Sequence, residues 1–119
     1  MADSMQKYTI IPNPTGVFEG IDALARLTFG LIWDRYRLSS YNVTGAAEDS
    51  KWYDYRRDEI FCLYSQADLA EQMGCGVRTV KRCLDDLKAA GLIDWRKADY
   101  KGVCRYYVSE YTREYMYSK

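Results

Sequence analysis

The chain has 119 residues, enough for one domain, and its 48% hydrophobic content supplies a packed core and excludes extended disorder. Seventeen cations balance seventeen anions, so the sum of charge argues neither for nor against a nucleic-acid partner and its distribution has to be read instead. Histidine is absent and the four cysteines, Cys62, Cys75, Cys83 and Cys104, form no C-x-x-C pair, which makes a metal centre a poor reading.

The sequence has no nucleophile motif or Gly-rich phosphate loop, so no catalytic constellation can be assembled and an enzyme is disfavoured. No cofactor is expected. There is no signal peptide, no apolar run near 20 residues and no disulfide-like spacing, which places the chain in a reducing cytoplasm, away from membranes.

In chain order, Met1 to Lys7 is a polar run expected to fray. Tyr8 to Ile11 reads as a short extended piece halted by Pro12 and Pro14, because proline removes a ladder donor and biases the residue before it toward extended conformations. From Ile21 to Tyr36 the apolar positions Leu24, Ala25, Phe29, Leu31, Ile32 and Tyr36 define the first long helix. Gly30 is costly inside it and points to close helix packing there.

Ser39 to Asp58 has no apolar period, and a loop near twenty residues is long for a compact domain. Its aromatics Trp52, Tyr53 and Tyr55 either pack on the domain's own helices or form a partner surface. Arg56 and Arg57 are secondary candidates for a nucleic-acid backbone. Ile60 to Leu63 reads as a strand that pairs with a later hairpin.

The stretch from Ser65 to Val108 organises the rest. Ser65 caps a helix beginning at Gln66, with Asp68 in the capping-box position, and Gly74 ends it about two turns on, where a left-handed residue is favoured. From Val77 the spacing Val77, Val80, Leu84, Leu87 gathers an apolar face on a second helix, with Arg78, Lys81, Arg82 and Asp85 on the opposite side. That helix stops at Gly91. Leu92, Ile93 and Trp95 then form one strand and Val103 to Val108 its partner, joined by a charged turn containing Asp99, Lys101 and Gly102. This order is a winged helix-turn-helix, giving an α+β, mainly α fold class with an N-terminal helix and a small antiparallel sheet carrying the wing.

An α-helix fits a major groove about 12 Å wide, and side chains from its N-terminal half read the floor. Arg78 and Arg82 are assigned to base edges, since a planar fork contacts guanine twice, and Lys81 to phosphate. Thr79 contacts a base or a phosphate. Lys97, Lys101 and Arg105 are placed along a sugar-phosphate strand, and Arg96, Ser65 and Gln66 complete the candidate DNA-binding set. The competing reading is that these are solvated helix and hairpin charges.

Cys75 to Arg105 carries eight cations against four anions, whereas Met1 to Gly74 carries seven against eleven, so positive charge concentrates on the second helix and wing. Ser109 then caps a last helix over Tyr111 to Ser118. Tyr106 and Tyr107 read as packing or base-stacking groups, packing through the ring being the more common role of tyrosine.

Several segments together resemble one family: Y-T-I-I-P at Tyr8, W-D-R-Y-R-L-S-S-Y-N at Trp33, I-F-C-L-Y-S at Ile60, and the helix-turn-helix that follows. They are similar to the N-terminal domain of the plasmid replication initiator A proteins of Gram-positive bacteria, from about Tyr8 to about Val108. The D-R-x-x-L-S element from Asp34 to Ser39 is the more specific part. The resemblance implies a winged-helix domain that dimerises and binds repeated double-stranded sites in a plasmid origin. It also implies that a C-terminal domain of a longer protein engages host replication proteins. It places the recognition helix on Val77 to Ala90 and the wing on Arg96 to Arg105. Gly76 departs from the Ser or Thr cap usual in such helices. The alternatives are a winged-helix transcription regulator and a winged-helix protein-interaction module.

Overall fold

The computed structural model describes residues 8–41, 52–98 and 102–118, with side chains up to 39 in the first stretch. The expected fraying of Met1 to Lys7, residues 42–51 of the long polar loop, and the wing-tip residues Asp99 and Lys101 lie outside the described residues.

A 3-10 turn, η1 (Gly16–Phe18), precedes the long helix α1 (Ala23–Tyr41). The Ala25 amide donates to Asp22 Oδ1 at 2.9 Å, which sets the start of α1 two residues later than the apolar pattern suggests. Ala25, Phe29, Leu31, Ile32, Trp33 and Tyr36 of α1 are buried, so this helix is the spine of the core; Leu24, at 39% exposure, is not part of it. Phe18 meets Phe29 edge-on at 4.9 Å between ring centroids, and Trp33 stacks between Phe29 and Tyr36.

Gly30 has a cause other than helix packing. A Cβ at this position would stand 2.8 Å from the Ile10 carbonyl oxygen and 2.9 Å from Thr9 Cγ2. The extended N-terminal segment therefore crosses α1 at Gly30, backbone against backbone. Arg26 holds the same segment through a 3.0 Å bond from Nη1 to the Pro12 carbonyl.

The long loop contains structure that its sequence did not announce. β1 (Tyr53–Asp54) and β2 (Glu59–Ile60) form a small antiparallel hairpin. The expected strand at Ile60 to Leu63 is broken at Phe61, and β3 (Cys62–Ser65) begins beyond it.

β4 (Ile93–Lys97) and β5 (Val103–Val108) are the wing hairpin, and the sheet order is β3-β5-β4. Cys62 opposes Tyr106 and Tyr64 opposes Cys104, so one face of the sheet enters the core. Tyr107 points to the other face yet is also buried. Both wing-strand tyrosines are thus packing residues.

Between β3 and β4 lie α2 (Gln66–Met73) and α3 (Val77–Ala89). Ser65 Oγ accepts from the Asp68 amide at 2.9 Å, and Gly74 adopts φ 68°, a left-handed end that a side chain would strain. Val80, Cys83, Leu84 and Leu87 of α3 are fully buried, each large aliphatic contributing on the order of 1.5–3 kcal/mol of transfer free energy. Val77, which shares their spacing, is 39% exposed at the helix start.

Gly76 precedes α3 with no side-chain cap, consistent with its lack of a hydroxyl. α4 (Glu110–Tyr117) closes the described chain; the Ser109 hydroxyl pairs with the Thr112 hydroxyl at 2.6 Å and caps no amide.

Candidate nucleic-acid interface

α3 is anchored by its apolar stripe against α1 and α2, so the opposite stripe faces out. Arg78 and Lys81 are exposed there and Thr79 is half-buried at the edge. Arg82 shares the stripe but is engaged: its Nη1 donates to Asp22 Oδ2 at 2.8 Å and to Asp86 Oδ2 at 2.7 Å. In the free domain the guanidinium therefore leans toward the start of α1. Both acids and the arginine are about half exposed, and an ion pair in that setting is readily exchanged for another anion. The Ala25 amide holds the Asp22 carboxyl below its usual range; burial opposes this and Arg82 reinforces it.

The root of the wing meets the start of α2. Ser65 pairs with Val103 in the sheet, the Gln66 amide donates to the Gly102 carbonyl at 3.4 Å, and the Ala98 amide donates to the Val103 carbonyl. Ser65, Gln66 and Lys97, with Lys97 opposite Cys104 on the edge strand and exposed, are thereby brought to one end of the sheet. The Ser65 hydroxyl is already the acceptor of the α2 cap. Lys101 lies outside the described residues.

Arg96 and Arg105 face each other across β4 and β5, and both lean toward one acid rather than out from the wing. Arg96 Nη2 lies 3.4 Å, and Arg105 Nη1 3.5 Å, from Asp54 Oδ2. The same oxygen accepts the Tyr107 hydroxyl at 2.5 Å, and Asp54 Oδ1 accepts the backbone amides of Arg56 and Arg57. Asp54 is only 4% exposed. Burial pushes its carboxyl up, but the Tyr107 hydroxyl, the two amides and the Arg96 guanidinium outweigh that and hold it at about 2.

The Arg105 guanidinium lies over the Phe61 ring at 4.3 Å, which fixes it against the β1–β2 hairpin from a second side. In the free domain a buried carboxylate in the long loop thus engages two arginines that the sequence reading assigned to DNA. Arg57 is likewise engaged, stacked over Tyr107 at 3.9 Å and paired with Asp94 and Glu59.

Asp54 is the residue that sequence reasoning missed. Its only local signal is the aromatic company of W-Y-D-Y, which marks packing but names no partner. A cleft of about 430 Å³ lies at the far root of β4, lined by Arg57, Asp94, Tyr107, Glu110 and Arg113 among others. Its mixed charges and its position away from the start of α3 separate it from the basic face.

A helix-turn-helix followed by a two-stranded wing, with cations facing outward from its second helix, defines a winged-helix protein. The chain belongs to the family described as the N-terminus of replication initiator protein A, which matches residues 14–119. Comparison with curated protein sequences finds no match.

Among solved structures, one described as "N-Terminal domain of DNA binding protein" is similar with a TM-score of 0.59 and 15% identity, over 96% of this chain and 89% of that one. One described as "Structure of MDR initiator" has a TM-score of 0.59 and 18% identity, over 88% of this chain and 78% of that one. A third, "Structure of Rep-DNA complex", has a TM-score of 0.59 and 15% identity, over 96% of this chain and 90% of that one. At these identities the likeness establishes a shared fold. Among the described residues no helix is long and apolar enough to cross a membrane.

Proposed function

We propose that this domain binds double-stranded DNA at repeated sites in a plasmid replication origin, as a homodimer, and so takes part in initiating replication in the cytoplasm. The observation that carries the reading is the outward pair Arg78 and Lys81 on the first turns of α3, in a chain of the replication initiator A family. The similarity in fold to a Rep–DNA complex supports it.

In this reading Arg78 takes a guanine edge in the major groove and Lys81 a phosphate. Thr79 lies at the margin of that face, and Arg82 joins it when DNA phosphate displaces Asp22 and Asp86. The start of α2, Ser65 and Gln66, and the wing cations Lys97 and Lys101 follow the flanking backbone, where they position without reading sequence. The domain acts by binding, with no cofactor and no catalytic step. Contact with host replication proteins is assigned to a C-terminal domain.

The test is binding of wild type and Arg78→Ala to a duplex carrying an origin repeat and to a scrambled duplex. Arg78→Ala is expected to cost about 1–3 kcal/mol on the repeat and little on the scramble. An equal loss on both removes Arg78 from base reading, and equal wild-type affinity for both removes sequence-specific binding.

A further inference from the structure

We infer that Asp54 is the positioning residue of the wing, holding Arg96 and Arg105 so that they fix its pose and, unlike Lys97, do not themselves contact phosphate. This rests on the DNA-binding reading above. The carboxylate comes from β1 in the long loop, while its three side-chain partners, Tyr107, Arg96 and Arg105, come from the two strands of the wing. The hairpin is therefore bolted across the outer face of the wing sheet at a buried point, beside the more exposed tie from Arg57 to Tyr107 and Asp94.

Phe61 adds a second fixture. It lies under the Arg105 guanidinium and tilts against Tyr107 at 6.1 Å between centroids. Arg105 gives up both a 4%-exposed carboxylate and an aromatic ring to reach a phosphate, whereas Lys97 at the end of β4 is exposed beside the wing turn. With Arg105 held between a buried carboxylate and a ring, and the half-exposed Arg96 tied to the same carboxylate, the wing depends on fixed placement against the groove more than on its count of cations.

The experiment measures affinity for one duplex across a salt series, where each phosphate contact contributes roughly 0.9 to the steepness of log K against log salt. Lys97→Ala is expected to reduce the steepness by that amount, and no reduction overturns the inference. In the Lys97→Ala background, Arg96→Gln and Arg105→Gln are each expected to reduce it no further. A further fall of about 0.9 with either arginine variant would place that arginine on phosphate and overturn the inference.

With Lys97 intact, Asp54→Asn is expected to lose the Lys97 share of the steepness, because the wing is displaced. An unchanged or steeper dependence contradicts a positioning role. Tyr107→Phe, which removes one anchor while keeping the ring, gives the same reading if Asp54→Asn does not fold. Thermal melting separates a loss of fold from a loss of pose. A wild-type domain that binds no duplex even at low salt refutes the DNA-binding reading instead, which keeps the two failures apart.

Discussion

Arg78, Arg82, Arg96 and Arg105 look alike in the sequence, and their surroundings give them different work. Arg78 faces solvent, Arg82 is shared between two half-exposed carboxylates, and Arg96 and Arg105 converge on a buried one. Asp22 stands 60 residues before Arg82 and Asp54 stands 42 before Arg96, beyond the reach of any local pattern. The basic helix face was legible from spacing, but the occupancy of each guanidinium was not.

Asp54 also makes a prediction about acid stability. Its folded pKa of about 2 lies below the ordinary 3.8, so its contribution is fully present above the ordinary value and is lost as pH falls toward 2. The depression corresponds to on the order of 2 kcal/mol. Other depressed carboxylates, Asp22 and Asp94 among them, contribute acid sensitivity of their own, so the comparison has to be with a variant. Denaturant unfolding of wild type and Asp54→Asn is expected to show stabilities that differ most near neutrality and converge by about this amount as pH falls to about 2. Parallel curves would mean that Asp54 carries no such proton linkage.

Among the elements, α2, α3 and the wing strands were legible because their signals are local and redundant. A serine cap, a left-handed glycine, three-and-four spacing and strand alternation all agree over a short run. α3 ends one residue short of the expected Ala90, a difference within the fraying of a helix end. The β1–β2 hairpin was hidden because two-residue strands show no alternation, and Asp58 with φ 55° marks its turn without a glycine to signal it.

Gly30 is the clearest case of a correct signal with a misread cause. The glycine does mark a close approach, but of the N-terminal segment and not of a helix. Gly30→Ala would stabilise an isolated helix by about 0.8–1.0 kcal/mol. Here its methyl has no room beside the Ile10 carbonyl, so the variant is expected to melt lower than wild type. Hydrogen exchange at Thr9 to Ile11 should rise, as the segment is pushed off α1. A higher melting temperature with unchanged exchange would show that the crossing yields without cost.

At the scale of the whole molecule, a central helix packs one face of a three-stranded sheet and the helix-turn-helix, while the hairpin from the long loop covers the sheet's other face. Trp52 lies against Phe61 on that covering side, which favours internal packing over a partner surface for this loop aromatic. Tyr55, 70% exposed, is a loop aromatic left at the surface. The layered plan followed from the order of elements in the sequence. The covering of the outer sheet face did not, because it depends on Asp54 and Arg57 reaching side chains distant in the sequence.

The central question for the molecule is whether its α3 face reads sequence, and selection from a random duplex library at low and moderate salt measures that directly. Enrichment of a half-site repeated at whole helical turns, about 10–10.5 base pairs or a multiple apart, is expected, with the preference lost in Arg78→Ala. Folded, soluble protein that enriches no sequence at either salt concentration would contradict sequence reading by this domain.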